Sequence, residues 1–597
     1  MFWSRLNMLL RMVRYYYLVN PSLVILKESL KLFATILIVA RIFVTGLFID
    51  GTVEVLTHWD TFSLEEYFIT DSFQYLFLGL ILWCFTSIFN KLAEYFEVIL
   101  DGDFYFQADL EILDKISKTN LQEIEEKKFQ DLMMYVPEYS TTKFAEAYNL
   151  LSTVLVHFAI LVGSIIMLSR VMGWWSFLLV LFVLPEATVR LVRGNQIAKY
   201  IDDSINKVTF MGYIRYISTR VQDFPELRVT GAFKHLKRLF ARKGKGYYKG
   251  LYEKNFHYYS DQILFSVIDQ IILTGYIIFI LAMCVVQGAT IGTFSALVNY
   301  ARDGYRAAFD CISHIFDALN DLSYVKGFFE LLDYRGFGDL SGRTEKLSKG
   351  CPTLEFKNLS FVYPKTRERG LVDVNFNIES GDKVAFVGTS GSGKSSIVRV
   401  LCGLFKVTSG DYLINGYSVR QLARGQLKSK ISIMPQDFVR YNLTLRKNIV
   451  IGDVNKKINK SRYERVKKIS LVDNFMKKFE ISDSQILGKF FGTGKELAPG
   501  HWQKLAIARM LYRNKEIMIM DEPFTFIDGK SRSEILKGVM DFAGEDKILI
   551  YITQDTDHLQ DFDKIYYFEN GKIVEKGTWK ELMHKKGPFY KLAEYNR

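Results

Sequence analysis

The chain has 597 residues, of which 49% are hydrophobic and 15% aromatic while 24% remain charged. That mixture excludes both a plain soluble enzyme and a bare membrane bundle, and the length leaves room for several domains. The net charge of +12 suits nucleic acid or the cytoplasmic side of a membrane protein, so its distribution along the chain has to decide.

The first segment, "MFWSRLNMLLRMVRYYYLVNP", interrupts its apolar residues with arginines and lacks a small-residue cleavage site. It reads as an amphipathic helix at the cytoplasmic interface, over residues 1–25, and not as a signal peptide. Six candidate spans of roughly 20 apolar residues follow, near 30–52, 70–95, 147–170, 173–193, 262–286 and 288–310. The third and fourth are separated only by a turn around Met172–Gly173. Charge enters the second half of the last span in "NYARDGYRAAFD". No Lys or Arg lies between Arg41 and Lys91 or between Lys254 and Arg302, whereas the N-terminal segment and the polar stretches 96–146 and 194–261 are rich in them. The positive-inside rule therefore puts those basic stretches in the cytoplasm, and the excess charge is explained without nucleic acid. Arg41, Asp261, Asp269 and Arg302/Asp303 fall near or inside spans, where ionisable groups are costly and either snorkel or serve function. The stretches 120–134 and 216–231 read as the ends of helical extensions able to dock on a second domain. The scattered cysteines Cys84, Cys284, Cys311, Cys351 and Cys402 show no CxxC or metal-ligand spacing, which predicts reduced thiols.

A six-helix membrane domain is thus expected over 26–330, a polar linker over 331–352, and an α/β domain over 353–597. In the latter, the strand-like "DKVAFVG" runs into "GTSGSGKSS" and then the helical "IVRVLCGL". This is G-x-x-x-x-G-K-[ST] between a strand and a helix, spanning Gly388, Thr389, Ser390, Gly391, Ser392, Gly393, Lys394, Ser395 and Ser396. Backbone amides wrap phosphates, Lys394 reaches the β- and γ-phosphates, and Ser395 ligates magnesium. Downstream, "EIMIMDEP" is a buried-strand run ending in two carboxylates: Asp521 is placed beside the magnesium, and Glu522 to polarise a water for attack on the γ-phosphate.

The ordered set "FVYP" (361–364), the P-loop, "MPQDF" (434–438), "ELAPGHWQKLAIAR" (496–509) and "IMIMDEP" resembles the nucleotide-binding domain of ATP-binding cassette (ABC) transporters. With the apolar first half, the chain resembles an ABC exporter half-transporter. The resemblance implies a membrane α-helical bundle of six transmembrane helices fused to an α/β RecA-like P-loop ATPase domain. By it, Tyr363 stacks on adenine, Gln436 bridges magnesium and the transmembrane loops, and Asp528 sits in a loop crossing a dimer interface. "QDFVRYNLTLRKNI" and "LGKFFGTGKELAPGHWQKLAIAR", with Trp502-Gln503-Lys504, are most similar to exporters of lantibiotic-type and other bacteriocin peptides.

Two departures stand out. Where the family has Leu-Ser-Gly-Gly-Gln, closing on ATP held by a partner subunit, this chain has Leu497, Ala498, Pro499, Gly500 and His501. Ala498 lacks the serine hydroxyl, and a hydrogen bond to a charged group is worth roughly 1.5–3 kcal/mol. Pro499 removes one N–H but suits a first helical turn, and Gly500 and His501 are expected still to offer amides. Where the family has a histidine facing the γ-phosphate, this chain has Gln554, which donates a hydrogen bond but carries no titratable proton. The expectation is an ATP- and Mg2+-dependent exporter of an amphipathic substrate, a peptide first and a lipid or lipophilic drug second. It works in the plasma membrane of a bacterium as half of a dimer, with a heterodimer favoured over a homodimer. The rival is a low-turnover membrane ATPase that transports nothing.

Overall fold

The computed structural model describes residues 2–57, 64–220, 223–334, 347, 350, 352–363, 368–422, 425–454 and 457–595. Most of the linker expected over 331–352, together with Cys351 and Pro364, lies outside them. The chain divides into two units, residues 1–118 with 127–334 and residues 119–126 with 335–597.

The apolar runs of the first unit become long helices: α1 (Phe2–Val19), α2 (Pro21–Thr57), α3 (Asp71–Lys118), α4 (Thr141–Met172), α5 (Leu178–Asp203), α6 (Ala232–Gln287) and α7 (Ile291–Leu332). Pro21 opens α2, where its missing N–H has no intrahelical partner to lose. Four stretches of the described chain are long and apolar enough to cross a membrane: Pro21–Thr57, Asp71–Lys118, Thr141–Ile201 and Ala232–Gln287. They take in five of the six expected spans, in helices α2 to α6, and α7 falls outside that measure. The third stretch contains both α4 and α5, folded back at the short turn Gly173–Phe177, where Gly173 takes φ +56°. The helix α7 is 42 residues long, but Arg302, Asp303, Arg306 and Asp310 break its apolar run. Large apolar side chains stand exposed along the others, among them Phe33, Ile36, Trp83, Ile88, Ile271 and Ile278, as a surface in contact with lipid tails requires.

Periodicity alone describes α1 as amphipathic, and the structure shows what its buried face meets. Met12 and Tyr16 are fully buried while Leu10 and Leu18 remain exposed. Tyr16 stacks on Tyr148 at 3.9 Å and donates to Asp101 at 2.5 Å. Tyr15 meets Phe104, Phe144, Phe328 and Phe329 edge-on. Arg11 lies 4.0 Å over the Phe329 ring and bonds both carboxylate oxygens of Asp333. Below this cluster Lys27 is completely buried, yet it lies 3.3 Å from Glu28 and 3.6 Å from Glu97 and donates to Asn149. A buried ammonium is tolerable only with such partners.

The second unit holds two sheets. One has strand order β2-β1-β4-β5, from β1 (Leu354–Val362), β2 (Arg369–Ile378), β4 (Ser409–Ile414) and β5 (Tyr417–Ser418), all antiparallel. The other runs β10-β9-β3-β8-β7-β6, from β3 (Lys383–Val387), β6 (Ile431–Met434), β7 (Ile517–Asp521), β8 (Ile548–Thr553), β9 (Lys564–Glu569) and β10 (Lys572–Gly577). Its β6, β7, β8, β3 and β9 are parallel, and β7 and β8 are buried at every position. Continuous apolar strands of this kind are covered on both faces, and ligands gather at their carboxyl ends. Residues 119–126 group with this unit, where Leu121 packs on its apolar core. Cys84, Cys284, Cys311 and Cys402 are free thiols.

Candidate functional site

The carboxyl end of β3 passes into the loop 388–393 and then α8 (Lys394–Leu401). Gly393 caps α8 with φ +108°, and a β-carbon there would stand 2.9 Å from the Gly370 carbonyl oxygen, so only glycine fits. The Lys394 ammonium is buried and donates to the carbonyls of Gly388 at 2.6 Å and Thr389 at 2.8 Å, and to the Ser392 hydroxyl at 3.3 Å. Burial lowers its pKa, while Glu522 and Asp521 oppose that. Ser395 is exposed at the start of α8; Ser396 is buried and shares a 2.9 Å hydrogen bond with the Tyr363 hydroxyl. Arg399 donates to the same hydroxyl at 3.2 Å, and Phe361 meets the Tyr363 ring edge-on at 4.8 Å. The residue expected to stack on adenine is thus anchored to the phosphate-loop helix by its hydroxyl, leaving its ring half-buried.

Two strands away, β7 ends at Asp521, which is 6% exposed; its pKa is pushed up to about 6 by burial and by the neighbouring Glu522 charge. Glu522 adopts φ +45°, a left-handed conformation that a non-glycine residue holds only when its surroundings fix it. Its Oε1 accepts from Gln554 Nε2 at 2.5 Å, and its Oε2 accepts from Gln436 Nε2 at 2.8 Å. The carboxylate is therefore held at both oxygens by neutral amides. With its nitrogen so engaged, Gln436 keeps its amide oxygen as a donor for a hard cation. The Ser395 hydroxyl, the Gln436 amide oxygen and the Asp521 carboxylate make an oxygen-only set of the kind Mg2+ takes alongside phosphate and water. Asp521 fits the role in a second way, since a buried carboxylate with a raised pKa gains most from a nearby cation.

The segment Leu497–His501 begins the third element, α9 (Pro499–Arg513). Ala498 is its N-cap, extended at φ −61° and ψ 151°, with no side-chain cap, and Pro499 opens the first turn. Gly500 is required because a β-carbon would stand 2.4 Å from the Phe526 carbonyl oxygen. The His501 ring stacks on Phe475 at 4.6 Å and meets Phe479 at 5.4 Å. Its backbone N–H bonds the Ala498 carbonyl at 2.9 Å. The amide expected from His501 is thus engaged within its own chain, and its imidazole serves packing. Burial lowers the His501 pKa, helped by Lys504 and Lys478. Asp528 caps α10 (Gly529–Ala543), accepting from the Ser531 amide at 2.9 Å, which lowers its pKa, and it stays exposed.

The geometry gives contacts to residues that the motif carried only as a likeness. Gln503 is 2% exposed and accepts from the Phe526 amide at 2.9 Å, tying α9 to the loop that carries Asp528. Trp502 donates to Glu496 at 3.2 Å, and Lys504 approaches the Ser531 hydroxyl at 3.3 Å. The Trp-Gln-Lys triplet thus clamps α9 to its neighbours, which motif matching had read only as a likeness in wording.

Residues 371–525 match the family described as ABC transporter. The chain is 26% identical over 517 residues to the subtilin transport ATP-binding protein SpaT of Bacillus subtilis, covering 85% of this chain and 83% of that protein. It is 26% identical over 522 residues to the nisin transport ATP-binding protein NisT of Lactococcus lactis, covering 84% and 83%. A putative multidrug export ATP-binding/permease protein of Staphylococcus aureus is 28% identical over 305 residues, about half of each chain (51% and 51%). Among solved structures, a bacterial Atm1-family ABC exporter with ATP bound superposes with a TM-score of 0.77 at 18% identity, covering 96% of this chain and 98% of that one. The chain carries an ABC-transporter ATP-binding domain, and its fold is that of an ABC exporter.

Proposed function

We propose that this ABC-type ATPase exports an amphipathic substrate, most readily a peptide, across the cytoplasmic membrane, acting as one half of a dimer. The observation that carries the reading is Glu522, held by Gln436 and Gln554 beside the phosphate loop, on a chain that also supplies long apolar helices. In this reading the N-terminal helix and the ATPase unit face the cytoplasm. The loop 388–396 and Lys394 hold the phosphates of ATP, and Tyr363 takes the adenine after parting from Ser396. Ser395, Gln436 and Asp521 would hold Mg2+, which would supply charge neutralisation for the phosphates. Glu522 accepts a proton from the attacking water, and its paired amides fix the orientation of its lone pairs. Leu497, Ala498, Pro499 and Gly500 face the nucleotide of the partner subunit, with Asp528 beside them, while His501 packs within its own chain. The missing hydroxyl at Ala498 makes that composite site the weaker one, which favours a second, different half-transporter as partner.

A peptide substrate is supported by the relatives named for subtilin and nisin transport. A lipophilic drug is the second reading, favoured by the relative named for multidrug export. The deciding experiment reconstitutes the protein, with any co-purifying half-transporter, in sealed vesicles. Peptide-stimulated ATP hydrolysis with peptide accumulation, both lost on Glu522→Gln, is expected. Stimulated hydrolysis without accumulation of any amphipathic probe would reject export in favour of a non-transporting ATPase.

A further inference from the structure

The strand β8 ends at Thr553, one residue before Gln554. Up to that point the sheet fixes the spacing to Glu522, whose amide donates to the Ile552 carbonyl at 3.0 Å. Beyond it the chain leaves the sheet. Gln554 is exposed and its side chain has several rotatable bonds, so its reach to the Glu522 carboxylate depends on how the following turn is held. Asp555 supplies the hold. Its amide donates to the Thr553 hydroxyl at 2.9 Å and its Oδ1 accepts from the Asp557 amide at 3.1 Å, which pins the backbone from Thr553 to Asp557. Its Oδ2 accepts from Arg532 Nη1 at 2.5 Å, and the same nitrogen lies 3.5 Å from the Asp557 carboxylate.

Arg532 stands one turn into α10, where its amide donates to the carbonyl of the capping Asp528 at 2.9 Å. One residue on, the Ser533 hydroxyl is hydrogen-bonded to His558 Nε2 at 3.0 Å. The start of α10 thus grips the segment 555–558 through Asp555, Asp557 and His558. Stability is a poor account of this arrangement. The Arg532 and Asp555 side chains are 21% and 38% exposed, and an ion pair so open to water contributes about 0–1 kcal/mol. Arg532 Nε is moreover buried with no hydrogen-bond partner among the described residues, a cost that an apolar side chain would avoid. What the guanidinium secures is the place of the turn that carries Gln554.

We propose that Arg532 is a positioning residue for ATP hydrolysis: through Asp555 it sets the turn from which the Gln554 amide meets Glu522. Arg532 touches neither nucleotide nor the reacting water in this role. The inference rests on the reading of Glu522 as proton acceptor given above, and it adds the residue that keeps one of the two Glu522 anchors in place.

The test uses the full-length protein, with any half-transporter that co-purifies, in lipid nanodiscs. ATP turnover, binding of a fluorescent nucleotide and thermal unfolding are read on the same preparations. Arg532→Ala is expected to lower kcat about threefold to tenfold with nucleotide affinity held within about twofold, and Arg532→Lys should recover most of the rate. A residue that acts through Gln554 has nothing left to act on once that amide is gone. In a Gln554→Ala background, adding Arg532→Ala should therefore lower kcat by less than about twofold further. A merely structural ion pair gives a different result: Tm falls, and the rate losses of the two variants multiply. Should Arg532→Ala fail to fold, Asp555→Asn takes its place in the same cycle. Unchanged kcat in the single Arg532 variant, multiplying losses in the double variant, or a Gln554→Ala protein as fast as the wild type would each overturn the inference. Failure of the Glu522 reading shows elsewhere. Hydrolysis that survives Glu522→Gln rejects that reading, while the Gln554 cycle still decides for or against Arg532.

Discussion

Gln554 and Glu522 are joined by a 2.5 Å hydrogen bond, amide to carboxylate, across the ends of two adjacent parallel strands. Gln436 makes the matching bond to the other oxygen, so the carboxylate is held rigid without a titratable partner. Gln554→Ala removes one of these anchors. A hydrogen bond to a charged group is worth about 1.5–3 kcal/mol, so kcat is expected to fall about tenfold or more with ATP affinity little changed. Steady-state hydrolysis alongside nucleotide-binding titrations checks this split; a pure loss of affinity would assign Gln554 to nucleotide binding instead.

Asp521 predicts a pH dependence. Its pKa in the fold is raised to about 6 by burial and by Glu522, so its protonated form stabilises the fold at low pH and that contribution is lost as pH rises through about 6. Mg2+ needs the carboxylate, so affinity for Mg-ATP is expected to drop as pH falls below about 6. Glu522→Gln removes the second cause of the shift and should move this midpoint to lower pH. A titration of fluorescent nucleotide between pH 5 and 8 measures both curves.

Ala498 occupies an N-cap with the extended backbone that a capping serine would use. Ala498→Ser supplies the missing acceptor and is expected to stabilise the ATPase unit by about 1 kcal/mol. Under the proposed dimer it also returns a hydroxyl to the partner's nucleotide and should raise ATP turnover. Thermal unfolding reads the first effect and hydrolysis the second; a Tm gain with unchanged turnover would confine residue 498 to capping.

His501 is expected to matter for stability and not for chemistry. His501→Ala forfeits the ring stack on Phe475, worth about 0.5–1.5 kcal/mol, and should lower Tm by about 2–4 °C, while His501→Phe should keep it. The fold holds the imidazole with a lowered pKa, so its contribution is present above its ordinary value near 6.5 and is lost as pH falls through the lower folded value. His501→Phe should therefore flatten the loss of Tm between about pH 7 and 5.

The phosphate loop, Asp521 and Glu522 were legible in the sequence because their chemistry is local: a strand, a glycine-rich turn and a helix in unbroken order. The paired amides on Glu522 were not, since Gln436, Glu522 and Gln554 sit at the ends of strands far apart in sequence. His501 was expected to offer its amide, but that amide bonds the Ala498 carbonyl, while Phe475 and Phe479, from a different helical segment, take the ring. Hydropathy found the long helices and placed the turn at Gly173. α7 falls below the same apolar measure because it carries its charges on a helix that packs among others. Amphipathic periodicity in α1 likewise cannot tell a lipid surface from the aromatic cluster that receives Tyr15 and Tyr16.

That docking of α1 has a practical side. Through Arg11 it is fastened to Asp333, the residue immediately after α7, where the helical unit gives way to the linker. The first helix thus splints the last. A purification tag or fluorescent label fused ahead of Phe2 would hang its load on that splint, and a spectroscopic label there would report on the root of the linker as well as on the amino terminus.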